Sequence, residues 1–121
     1  MFPPIFEVCS ASPEVVALLG SNPIRLFEFS RATQSTPRPY ATWASVAGSP
    51  ENYLNQRPDL DRYVIQIDCW GSTSSQVRAV AQALRDAIEP VAYITAWRGE
   101  EVDADTALYR YSLDVDWLVQ R

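Results

Sequence analysis

The sequence predicts an α+β fold: about five strands in one antiparallel or mixed sheet, with helices packed on one face. Three observations predict it. Tyr63, Ile65, Ile67 and Cys69 alternate with Val64, Gln66, Asp68 and Trp70, which is the period of two of a strand with one apolar row. Immediately afterwards Val77, Val80, Ala81, Leu84 and Ile88 recur at the i, i+3, i+4, i+7 spacing of a helix that buries one stripe. Near the C-terminus Tyr109, Tyr111, Leu113, Val115, Trp117 and Val119 share one face of a second alternating strand, and Arg110, Ser112, Asp114 and Asp116 share the other.

In chain order, residues 3–19 read as one or two short helices. A proline at 3 or 4 suits a first turn, Ser12-Pro13-Glu14 is a second start signal with Ser12 as cap, and Gly20 ends the run. Phe6, Val15, Val16, Leu18 and Leu19 are expected to supply the packing face. Residues 24–29 (IRLFEF) form a short aromatic strand. Residues 30–39, polar with two prolines, form a surface loop. Residues 40–47 form the next strand, with Trp43 and Val46 on opposite faces. Residues 48–60 are rich in Gly, Pro, Asn and Asp and read as a long connection to the central strand, 62–70.

Gly71 breaks that strand, and Thr73 with Gln76 has the spacing of a capping box, so a helix starts near 73 and stops at Pro90. Residues 91–98 and 107–119 are strands joined by an acidic hairpin loop, 99–106. The order is α-α-β-β-β-α-β-β in one domain, 1–121. Its expected core is Ile65, Ile67, Val80, Leu84, Leu113 and Val115, and its other sheet face is partly polar. The connections 30–38 and 48–60 and the loop 99–106 are expected to be mobile arms that become ordered against a neighbour.

Composition narrows the function. Ten basic against fifteen acidic residues give a net charge of −5, which opposes gripping nucleic acid through its phosphates. The absence of histidine removes the commonest member of hydrolase triads and zinc sites. Four scattered glycines form no phosphate-binding loop. No apolar run approaches the length of a membrane span, and no basic segment precedes the apolar N-terminal residues, so synthesis in the cytoplasm is expected. Cys9 and Cys69 sit among apolar neighbours without metal spacing; buried thiols are the plain reading, a disulfide or a reactive thiol the alternative.

Asp68, Asp114 and Asp116 lie on polar strand faces and are the one carboxylate cluster that a divalent cation would use. An alternating strand with acids on its wet face produces the same D-x-D pattern, so a solvated or subunit-contacting face is the stronger reading. Neither a catalytic residue nor a cofactor or metal ligand is assigned. A small carboxylate- or metal-dependent enzyme and a generic cytoplasmic adaptor domain stand as the alternatives.

The residues RPY at 38–40, SVAGSPE at 45–51, and 62–76, where the strand ends in DCWGST and the helix follows at once, resemble the tail-completion or tail-terminator family of long-tailed bacteriophages. The resemblance implies a virion protein of the head–tail junction without catalytic activity. It implies a ring, commonly of six subunits, that caps the tail tube and meets the head connector while DNA passes without specific binding. On that reading Asp68, Arg110, Asp114 and Asp116 are candidates for the lumen lining or the subunit contact.

Overall fold

Both alternating segments become the long central strands of one sheet. The computed structural model describes residues 2–21, 23–29, 32 and 35–121. Its elements are α1 (Ile5–Ser10), α2 (Pro13–Leu19), β1 (Leu26–Glu28), β2 (Tyr40–Pro50), β3 (Leu60–Gly71), α3 (Ser74–Ile88), β4 (Tyr93–Val102) and β5 (Tyr109–Gln120). The strands lie in the order β1-β2-β3-β5-β4. The β1–β2 pair is parallel and the other three pairs are antiparallel, so the α+β sheet is mixed.

The three helices cover the face that carries Ile65, Ile67, Cys69, Leu113 and Val115, and these meet Val77, Val80, Leu84 and Ile88 in one core. All six expected core residues are buried. Gly71 allows α3 to fold back tightly, because a Cβ there would stand 2.8 Å from Gln76 Oε1 and 3.1 Å from Val77 Cγ1. Thr73 Oγ1 accepts from Gln76 N at 3.2 Å, and Gln76 Oε1 accepts from Ser72 N at 2.7 Å, so one orphan donor of the first turn and the amide just ahead of the cap are satisfied. Replacing Thr73 with Ala is expected to cost about 1 kcal/mol in a thermal or denaturant melt. A change within experimental error would mean that water caps the turn equally well.

On α1 the buried face is Ile5 and Cys9, one turn apart, while Phe6 points outward and is 52% exposed. Val15 and Leu19 bury as expected on α2. Phe6 is misplaced by the sequence reading because a six-residue helix has too few turns for its apolar period to reveal which side packs. Both cysteines are buried and free. Burial pushes the Cys9 thiol up to about 12 and raises that of Cys69 as well, so neither supplies a thiolate at neutral pH.

The hairpins are longer than their composition suggests. β2 continues through Gly48 and Ser49 to Pro50, paired with Arg62 and Asp61 at its end, and β4 continues through Gly99 to Val102. The expected connection 48–60 shrinks to residues 51–59, and the acidic loop 99–106 shrinks to 103–108. Antiparallel pairing outweighs the turn propensity of Gly, Pro, Asn and Asp at these places. Residues 30, 31, 33 and 34 of the proline-rich loop lie outside the described residues.

Candidate functional site

The sheet face opposite the helices carries the polar half of both alternations, and β2, β4 and β5 supply it with cross-strand partners. Asp68, Arg110, Asp114 and Asp116 all lie on this face. Across β3 and β5, Trp70 stands opposite Arg110, Asp68 opposite Ser112, Gln66 opposite Asp114, and Val64 opposite Asp116. That register spreads the three carboxylates along the sheet and gives each its own partner.

Asp68 accepts a hydrogen bond from Ser112 Oγ and another from Gln66 Nε2 at 3.3 Å. Asp116 accepts from Arg62 Nε at 2.9 Å, with Arg62 Nη2 also at 2.9 Å. Asp114 accepts from Arg98 Nε at 2.8 Å. Contrary to the expectation of a wet residue, Asp114 is only 7% exposed. The cause is β4, whose register shifts between Ile94 and Ala96 and again between Trp97 and Gly99. The second irregularity frees Arg98 from strict pairing and lets its guanidinium lie against the carboxylate. The other oxygen, Oδ1, is buried without a partner.

Arg110 forms an ion pair with Glu101 of β4 and lies 5.5 Å from the Trp70 ring centroid. Trp70 stacks on Tyr40 at 6.2 Å, and Phe27 meets Tyr40 edge-on at 6.3 Å. Phe27, Tyr40, Trp70, Arg110 and Glu101 therefore make one row across all five strands. Trp70 Nε1 also donates to Thr42 Oγ1 at 3.3 Å. Sequence reasoning missed Arg62, Arg98 and Glu101 as partners of the candidate residues. Their only signal is opposite charge, and which pairs meet depends on register between strands distant in the chain.

The face thus holds three cations, Arg62, Arg98 and Arg110, against four carboxylates, Asp68, Asp114, Asp116 and Glu101, for a formal balance of −1. Among the described residues no three His, Cys, Asp or Glu side chains are placed to hold a metal ion. An open groove of about 480 Å³ ends the face, where Tyr53, Leu60, Tyr93 and Leu118 surround the Arg62–Asp116 pair. Beyond it Arg121 makes two bonds to Asp61, 2.9 and 3.0 Å, and this holds the Asp61 carboxyl below its usual range. The Ser112 hydroxyl that donates to Asp68 belongs to a residue only 6% exposed. What the arrangement offers is a long polar surface whose three arginines are each paired within it, leaving one net negative charge.

The tail completion protein gp17 family matches the chain over residues 3–120. The chain belongs to that family. It is a structural tail completion protein, and the resemblance in residues 38–76 is part of a match that spans nearly the whole chain. Two solved structures share the fold. A chain in the virion of a native gene transfer agent particle superposes with a TM-score of 0.70 at 12% identity, over 97% of this chain and 92% of the other. The gp17 protein of bacteriophage SPP1 superposes with a TM-score of 0.59, also at 12% identity, over 97% of this chain and 86% of the other. No curated protein matches by sequence. At 12% identity the two structures share the fold of this tail completion protein.

Proposed function

We propose that this tail completion protein closes into a homo-oligomeric ring, of six copies as in the family it resembles. The ring ends the tail tube, meets the head connector, and turns the sheet face opposite the helices toward the lumen. The chain works by contact and carries out no reaction. The observation that supports the lumen assignment is the internal pairing of that face. A surface that grips DNA presents unpaired Lys or Arg to phosphates and releases their counterions, whereas Arg62, Arg98 and Arg110 are each committed to a carboxylate of their own subunit. The same seven charges make the face a poor subunit contact, because the centres of interfaces are depleted in charge and desolvating ion pairs is costly.

Sedimentation of the purified chain tests the ring: the expected mass is a several-fold multiple of 13.6 kDa. Asp116→Lys then tests the face. A lumen residue leaves ring formation intact and impairs DNA passage in particles carrying the variant; loss of the ring would make the face a subunit contact instead. Intact rings together with fully infectious particles would remove both roles.

A further inference from the structure

The connection between β2 and β3 is a built projection. Residues 45–57 are exposed throughout. The loop is closed at its base by Glu51 N donating to Leu60 O at 2.9 Å, and braced by Tyr53 Oη donating to Asp59 Oδ1 at 2.7 Å. This holds Leu54 fully exposed at the tip. Close by stands Arg57, which alone among the described arginines has no partner within the chain. A single exposed leucine is ordinary on a surface; one held out on a braced loop beside an unpaired arginine is a candidate anchor.

A matching cavity exists at the other end of the molecule. Phe6 and Ser10 of α1, Val16 of α2, and Pro23 and Ile24 before β1 line an open pocket of about 280 Å³. Ser10 Oγ is buried there without a hydrogen-bond partner, and Glu7, next to Phe6 on α1, is exposed and unpaired. The first 24 residues contain two glutamates and no basic residue; Arg25 stands behind Gly20 of the pocket wall, its guanidinium donating to Leu18 O at 3.0 Å and Pro39 O at 2.9 Å.

Leu54 cannot reach this pocket in its own subunit. Leu26 pairs in parallel with Ala41, so Ile24 lies beyond the Tyr40 end of β2, while Leu54 lies beyond the Pro50 end. From Tyr40 to Pro50, β2 spans ten steps of about 3.3 Å, about 33 Å from end to end. Resting on the ring reading above, we propose that the β2–β3 tip of one copy docks in the α1–α2 pocket of the next copy. Leu54 fills the cavity beside Phe6 and Val16, and Arg57 pairs with Glu7. Knob and pocket are different surfaces at opposite ends, which is the head-to-tail geometry that closes a ring.

Sedimentation velocity of the wild type, Leu54→Asp and Arg57→Glu, with a thermal melt of each, tests the contact. The tip touches no core residue, so unchanged melting of the monomer is expected, with association weakened about ten- to a hundred-fold by Leu54→Asp. Arg57→Glu is expected to weaken association and Glu7→Arg to restore it in the double variant. A Leu54→Cys, Val16→Cys chain is expected to give a ladder of covalent multimers on oxidation, since the two native thiols are buried. Wild-type rings with undiminished Leu54→Asp rings and no ladder would overturn the contact and leave the ring standing. A wild type that stays at 13.6 kDa at every concentration would overturn both.

Discussion

Leu84→Ala is expected to lower the free energy of unfolding by about 2–5 kcal/mol, seen as an earlier midpoint at unchanged slope in a denaturant titration. Leu84 is wholly buried in the middle of α3. α3 is the element on which everything meets: it packs against β3 and β5 below and α1 and α2 beside it. A cavity opened there has rigid strands on one side and helices on the others, so little can move in to fill it, which places the cost above the transfer term alone. The neighbouring Arg85→Ala removes only an exposed pair with Asp86 and is expected to stay within about 0.5 kcal/mol. A loss below about 1 kcal/mol at Leu84 would mean that the helix is loosely docked and the core closes over the gap.

That prediction rests on features the sequence displays openly. α3 carries its apolar stripe through four turns, and β3 and β5 carry theirs through a dozen residues each, so period alone identifies element, face and core. Shorter or longer-range features were not legible. Phe6 sits on a helix too short for its period to choose a side. The ends of β2 and β4 contain Gly48, Pro50 and Gly99, whose local preference for turns is overruled by partners more than ten residues away. The parallel pairing of β1 with β2 leaves no mark in three residues of strand. Alternation puts Asp68, Arg110, Asp114 and Asp116 on the polar face where the structure has them, but their partners follow from register, and register between β3 and β5 is set by the whole core rather than by those residues. Sequence therefore shows which side chains share a surface and is silent on which of them meet.

Asp114 and Asp116 show the consequence most sharply, since they have the same residue type, strand and face. Asp114→Lys is expected to cost about 3 kcal/mol or more and to leave much of the chain unfolded, whereas Asp116→Lys is expected to cost less than about 1 kcal/mol. The carboxylate of Asp114 is enclosed beneath Arg98, with a side-chain exposure of 10%. An ammonium at that position loses the bond from Arg98 Nε, faces that guanidinium as a like charge, and has little water to compensate it. The Arg98 side chain is itself 58% exposed and can swing outward, which limits the cost of the repulsion but leaves the buried ammonium. Asp116 has a side-chain exposure of 21% and its partner Arg62 one of 45%, so both ends of a substituted pair can turn to solvent. Asp114→Asn keeps size and an acceptor for Arg98 and is expected to fall between the two lysine variants. Chemical denaturation of the three variants in one buffer decides the matter: equal costs for Asp114→Lys and Asp116→Lys would mean that Arg98 does not cover Asp114 in solution and that β4 opens where its register shifts.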